Sequence, residues 1–201
     1  MNKTNYDKEM NKIIETHAKR EWKPTLLLHS CCAPCSTACL ERLTPYFDLT
    51  VYFYNPNLDT LVEYEKRKNE QIKLCNALGV NCIVEDYSKD DFTIAVRGLE
   101  GEIEGGKRCN KCFELRLGKT AEKTKQLKCD YFTTTLTVSP HKNSQLINEV
   151  GKKVGDEFGV KFLPSDFKKG GGFLRSTVLS NQYGLYRQNY CGCEYSKGQK
   201  I

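Results

Sequence analysis

The sequence predicts a single-domain α/β protein built on an open parallel sheet of about five strands. Three observations carry this reading. Short apolar runs, β-branched or aromatic, alternate with longer charged segments that keep a helical apolar face. No internal repeat or low-complexity linker divides the 201 residues. A chain of this length buries roughly 70% of its unfolded surface, so it needs no disulfide framework to hold a core.

The elements follow in chain order. Tyr6 to Arg20 is polar and helical, with Ile13, Ile14 and His17 as a thin apolar face. Thr25–His29 (TLLLH) is a short apolar run and reads as a buried strand. Pro34 suits the first turn of a helix that continues from Cys35 to Leu43. Leu49–Tyr54 is a second strand, broken by Asn55-Pro56-Asn57. Leu58 to Leu78 is a long helix, with Leu61, Val62, Ile72, Leu74 and Leu78 expected on its buried face. Asn81–Val84 is a third strand, and Ser88 caps a helix through Val96. A Gly- and Glu-rich loop spans Gly98 to Gly106. Cys109 to Leu127 is helical, Tyr131–Thr135 is a fourth strand, Asn143 to Phe158 a helix and Val160–Leu163 a fifth strand. Gly170-Gly171-Gly172 forms a flexible loop before a short helix from Phe173 to Asn181. Residues 1–24 read as an N-terminal helical extension and 25–201 as one α/β catalytic domain. In such open sheets ligands bind beyond the carboxyl ends of the strands, where Ser30 to Cys35 falls.

Composition narrows the function. Lys and Arg number 31 against 25 Asp and Glu, a net charge of +6. Lys107 to Lys128 alone holds eight basic and two acidic residues. Such a run is either a solvated helix face or a guide for a polyanion. Mean hydropathy is −0.58, and no stretch approaches the roughly 18 apolar residues of a membrane span. The first 23 residues are polar and lack the apolar core of a secretory signal. The expected setting is therefore a reducing cytoplasm, where the 11 cysteines point to metal binding or redox chemistry rather than to disulfide staples. There is no GxxxxGK[ST] loop, no GxGxxG after the first strand and no Gly-rich phosphate loop of the ATP pyrophosphatases. Nucleotide hydrolysis is disfavoured accordingly.

Cys31-Cys32 with Cys35 and Cys39, Cys109-x-x-Cys112 and Cys191-Gly192-Cys193 are the groups that matter. Cys75, Cys82 and Cys129 read as core packing. The x-x-spaced pairs Cys32/Cys35 and Cys109/Cys112 let thiolates converge on one ion or cluster. Adjacent Cys31 and Cys32 point apart in a regular backbone, which favours a bulky cluster over one zinc ion. Cys191 and Cys193 close only a small strained disulfide, and strained disulfides are labile or catalytic. Two further metal ligands are the competing reading of that pair. His29 at the first strand end is a packing residue or a ligand, and His141 is a turn residue or a group facing the site. Lys168, Lys169 and Arg175 flank the glycine loop, which can wrap a phosphate.

His29-Ser30-Cys31-Cys32-Ala33-Pro34-Cys35, Cys109-Asn110-Lys111-Cys112 and Tyr186 to Cys193 together resemble the cobalamin-independent epoxyqueuosine reductases. Thr134 to Lys142 and Phe173-Leu174-Arg175-Ser176 fit the same family, and the resemblance runs from about Leu26 to Ser196. It implies a Rossmann-like, three-layer architecture of the adenine nucleotide hydrolase type. It implies reduction of an epoxide on a wobble-position tRNA base to an alkene, the last step of queuosine biosynthesis. By matching motifs, Cys31, Cys32, Cys109 and Cys112 would hold a [4Fe–4S] cluster, and Cys191 and Cys193 would be a redox-active pair. Cys35 would join a second metal, an additional iron, or cap the helix. His29, His141 or Tyr190 would protonate the leaving oxygen. The partners implied are tRNA bearing epoxyqueuosine and an electron donor that the motifs do not specify. Lys119, Lys123, Lys125, Arg175 and Arg187 are the expected tRNA contacts. A structural zinc-binding RNA-interaction module and a thiol–disulfide oxidoreductase are the alternatives.

Overall fold

A computed structural model describes residues 3–197. The outer ends of the expected division, residues 1–2 and 198–201, lie outside them. Five strands, β1 (Thr25–His29), β2 (Asp48–Phe53), β3 (Asn81–Val84), β4 (Tyr131–Thr134) and β5 (Lys161–Phe162), form one sheet in the order β3-β2-β1-β4-β5. Every pairing is parallel. Among the described residues seven α-helices accompany them, α1 (Tyr6–Ala18) before β1, α2 (Ala33–Leu43), α3 (Leu61–Leu78), α4 (Lys89–Ala95), α5 (Lys107–Leu127) and α6 (Ser144–Phe158) between strands, and α7 (Gly172–Gln182) after β5. Strand order reverses at β1, whose neighbours are β2 and β4. That reversal is the topological switch point, where such sheets open a crevice.

The central strand is covered on both faces, which is why it reads as a continuous apolar run. Alternation sends Leu26 and Leu28 into a core shared with Met10, Leu40, Val51 and Leu74. Leu27 faces the opposite core, with Phe113, Leu117, Ile147 and Val150. The chain is thus a three-layer α/β/α molecule, as the resemblance implies, built on the open parallel sheet that the alternating pattern predicts. Met10 and Ile14 of α1 pack into the first core.

Three local expectations are corrected. Leu61, Val62 and Leu78 of α3 are exposed by 56%, 79% and 37%, while Tyr64, Arg67, Gln71, Leu74 and Cys75 are buried. The buried stripe is partly polar because it meets carbonyls and hydroxyls at the strand ends rather than an apolar sheet face. The glycine run is not a free loop. Gly170 and Gly171 adopt positive φ in a 3₁₀ turn, and a Cβ on Gly172 would overlap the Phe167 carbonyl oxygen. β4 stops at Thr134, and Thr135–Val138 turns into a 3₁₀ segment over the same edge. Among the described residues, no helix is long and apolar enough to cross a membrane.

Candidate active site

The Ser30 N–H donates to the Tyr52 carbonyl at 2.8 Å, carrying the β1–β2 pairing one residue past the strand. The chain then turns, and Cys32 becomes the extended N-cap of α2, with Pro34 in the first turn. This turn brings the sulfurs of Cys31, Cys32 and Cys35 within 4.8 Å of one another. The Cys31 and Cys32 sulfurs are 3.7 Å apart. The expectation that neighbouring cysteines point apart is therefore corrected, since it holds for regular backbone and not for this strand-to-helix turn. Hydrogen bonds from Cys32 and Cys35 hold the Cys31 thiol well below its ordinary pKa, and Cys32 is pushed up to about 12 by the same contact with Cys31. Beneath the trio, the hydroxyls of Ser30 and Ser36 lie 2.6 Å apart. Gln71 Oε1 lies 2.6 and 3.0 Å from them, and Gln71 Nε2 donates to Cys75 Sγ at 3.3 Å.

A second wall is the start of α5. Cys109 sits in its first turn and Cys112 one turn on, so both sulfurs share a helix side. The Gly105 N–H donates to Cys109 Sγ at 3.2 Å. One further turn along, Arg116 lies 4.0 Å from Cys112 Sγ through Nη1 and donates to Asn55 Oδ1 at 2.5 Å through Nη2. Asn55 Nδ2 donates in turn to the Ser30 carbonyl at 2.9 Å. Arg116 thereby ties α5 to the turn that carries the trio. Burial raises the Cys109 thiol and lifts Cys112 to about 11.

The third wall is Cys191-Gly192-Cys193. Gly192 has φ +113°, which only glycine adopts without strain. The Asp59 N–H donates to its carbonyl at 3.0 Å. Arg67 Nη1 donates to the Cys191 carbonyl at 3.2 Å. A hydrogen bond from Cys193, followed by the charge of Lys142, holds the Cys191 thiol well below its ordinary value, while Cys193 is raised. Cys193 packs in one apolar cluster with Phe92, Val96 and Cys112.

Two adjoining cavities open between these walls. The larger, of about 300 Å³, is lined by Cys31, Cys35, Arg67, Arg187 and Tyr190, among others. The smaller, about 40 Å³, is lined by Cys109, Cys112 and Cys193. Glu104, Arg116, His141, Lys142 and Cys191 line both. Members of all three cysteine groups named from the sequence thus face one joined space, while Cys32 and Cys39 line neither cavity. His29 does not line it. It is fully enclosed, with Nδ1 2.8 Å from Thr134 Oγ1 and Nε2 3.2 Å from the Tyr54 carbonyl. A carbonyl only accepts, so Nε2 donates its hydrogen there. Burial, then the charge of Arg116, lowers the His29 pKa to about 3. Both ring nitrogens of His29 are thus taken up by partners inside the fold. The Tyr190 hydroxyl lies 3.5 Å from Asp59 Oδ1, and Arg67 stacks on its ring at 5.2 Å.

The expected tRNA contacts spread over the surface. Lys119 pairs with Glu122 at 2.9 Å, Lys123 with Glu85 at 2.5 Å, and Arg175 grips Glu41 with two bonds. Lys125 is exposed. Arg187 lies 5.3 Å over the Phe173 ring beside the larger cavity. Two members of the basic run are not surface groups at all: Arg108 and Arg116 are each only 2% exposed. Sequence reasoning passed over Arg67, Arg116, Lys142, Glu104 and Asn55 as site residues. Arg116 had a readable signal, because it follows Cys112 by four residues on one helix. Arg67 had none, since its contacts lie at the far end of the chain.

Thiols from three segments, gathered at the strand ends of an open parallel sheet, define a class: a cysteine-centred, three-layer α/β protein. A thiol set of this kind suits iron–sulfur or other soft-metal binding and thiol redox chemistry. The family model described as epoxyqueuosine reductase QueH matches residues 26–199. A relative named epoxyqueuosine reductase QueH from Streptococcus pyogenes serotype M1 is 46% identical over 200 residues, covering 96% of this chain and 78% of its own. One of the same name from Thermotoga maritima is 39% identical over 178 residues, covering 86% and 90%. The chain belongs to the epoxyqueuosine reductase QueH family, a family of oxidoreductases. Its fold is also similar to that of a solved structure, the U34-tRNA thiolase NcsA from Methanococcus maripaludis with its [4Fe–4S] cluster. That likeness has a TM-score of 0.58 at 15% identity over 94% of this chain and 67% of the other.

Proposed function

We propose that this chain reduces the epoxide of epoxyqueuosine in tRNA to the alkene of queuosine, acting in the cytoplasm. The observation that carries the reading is the joined cavity faced by three cysteine groups in a member of this family. The reaction consumes two electrons and two protons and releases the epoxide oxygen as water. Cys31, Cys32, Cys109 and Cys112 are assigned to a [4Fe–4S] cluster. Cys35, within 4.8 Å of Cys31 and Cys32, is assigned to a second iron. When bound, such a group supplies electron transfer and a Lewis-acidic metal.

The protein's own residues do the rest. Cys191 and Cys193 store the two electrons as a dithiol, which passes to a disulfide as the substrate is reduced. Lys142 and Arg116 offset the negative charge of the buried thiolates. Burial works to lower the Lys142 pKa, yet the charges of Cys191, Cys31 and Cys35 hold it above its ordinary value. His141 lines both cavities and is assigned to protonate the leaving oxygen. Arg187 and Tyr190 at the larger cavity's wall would hold and stack a base drawn out of the anticodon loop. Lys119, Lys123, Lys125 and Arg175 would meet the flanking phosphates.

The test is mass spectrometry of tRNA nucleosides after anaerobic incubation of the protein with epoxyqueuosine-containing tRNA and a reductant. Conversion of the epoxide to the alkene is expected, together with about four or five irons per chain. Unchanged epoxide with an iron-loaded protein would overturn the activity. A colourless protein carrying stoichiometric zinc would overturn the cofactor assignment.

A further inference from the structure

We infer that Arg67 is the positioning residue that clamps the Cys191-Gly192-Cys193 loop to the thiol trio and so sets how readily that pair passes between dithiol and disulfide. The inference rests on the redox role proposed for Cys191 and Cys193. It adds a residue from α3, a helix without any motif cysteine.

Arg67 is 2% exposed. Its Nε donates to Glu63 Oε1 at 2.7 Å, and its Nη1 to the Cys191 carbonyl at 3.2 Å. Its guanidinium lies 5.2 Å from the Tyr190 ring centre, over the residue that enters the loop. The next carbonyl, Gly192, is held by the Asp59 N–H at 3.0 Å. Two consecutive carbonyls of the loop are thus pinned from outside. The fit is close, because a Cβ on Gly192 would sit 2.9 Å from Arg67 Nη1 and 2.5 Å from Leu58 Cδ2. A planar fork makes these contacts at fixed angles, which a lysine ammonium does not.

The same helix face reaches the trio. Gln71, one turn after Arg67, lies against Ser30 and Ser36 under Cys31 and Cys32. α3 therefore contacts both of the segments that carry the sulfur groups. Arg67 Nη2 is buried without a hydrogen-bond partner. Burying a cation is costly unless negative charge offsets it. Burial opposes the charge on Arg67, and its ion pair with the Glu63 carboxylate supports it. The guanidinium thus joins the Glu63 carboxylate to the Cys191 carbonyl on the wall of the cavity that Cys31 and Cys35 also line.

The chemistry it would govern is balanced. The two thiols form one S–S bond and lose two electrons and two protons. The epoxide takes them up, breaks both of its C–O bonds and yields an alkene and water. Loop carbonyls held in place limit the shapes the dithiol loop samples, so less freedom is lost when the S–S bond closes, which favours the disulfide. Releasing them should disfavour it.

The experiment equilibrates the anaerobically purified protein with glutathione redox buffers, traps free thiols by alkylation and scores the peptide holding Cys191 and Cys193. In Arg67→Gln the equilibrium constant for forming the disulfide should fall about tenfold, equivalent to a midpoint about 30 mV higher. Glu63→Gln, which loosens Arg67 from the other side on a partly exposed turn, should shift it in the same direction by about threefold. Unchanged midpoints in both variants would overturn the role of Arg67, and Glu63→Gln alone decides if Arg67→Gln does not fold. A wild-type protein that never forms the Cys191–Cys193 disulfide would instead overturn the redox role of the pair.

Discussion

The thiol trio and the Cys-Gly-Cys loop line one space but are built in opposite ways. Cys31, Cys32 and Cys35 stand on a strand end and a helix start, so the backbone ladders of β1 and α2 position them directly. Cys191 to Cys193 lies in irregular chain, pinned by Arg67, 124 residues away from Cys191, and by the Asp59 N–H. Regular scaffolding of this kind suits the proposed metal-binding role of the trio, since ligands must hold still. A loop held only by contacts from distant segments is set by those contacts, so a single substitution there reaches it without disturbing a strand or helix ladder.

Four outcomes break or sharpen this contrast. The largest separates the two regions outright. Cys32→Ala should strip iron and lower turnover on the order of 10³-fold, because one iron loses its thiolate; full iron retention would remove Cys32 from the ligand set. Cys191→Ser should lose turnover to a similar extent and yet keep its iron and visible colour. Loss of iron together with activity would make the loop a ligand segment and erase the contrast. At the scaffold, Gln71→Leu removes the acceptor shared by Ser30 and Ser36. Denaturant titration should show about 2 kcal/mol of lost stability, and an unchanged midpoint would mean that the two hydroxyls satisfy each other. The smallest effect concerns the outer face of α5. Reversing the charge of Lys119, Lys123 and Lys125 should leave iron content intact. It should flatten the salt dependence of tRNA binding by roughly 0.7 to 0.9 in slope for each lost phosphate contact. An unaltered slope would make this a solvated face, as the pairing of Lys119 with Glu122 and Lys123 with Glu85 would suit.

Legibility followed the same division. β1 and β3 match their expected spans, Thr25–His29 and Asn81–Val84, because a short apolar run bounded by turn residues has one reading in an alternating chain. Pro34 marked the start of α2 for a local reason, its fixed φ. α3 spans nearly the residues its pattern predicts but buries a different face. Apolar periodicity selects Leu61 and Val62 for the core, but the helix overhangs the strand ends, where its buried neighbours are polar. Arg108 and Arg116 were counted in a surface run because charge along a chain does not reveal which helix side turns inward.

By itself the sequence determined the layering, the parallel sheet and the three cysteine groups, and it placed the first group at a strand end. Those follow from periodicity, turn chemistry and residue type, all of which act over a few residues. Only the tertiary structure decided that Cys35 joins Cys31 and Cys32, and that Cys193 packs beside Cys112. It also decided that Arg67, Arg116 and Lys142 stand among the thiols while His29 is sealed off. These depend on which element ends meet where the sheet reverses at β1. That meeting is set by packing between segments far apart in the chain, and no local pattern records it.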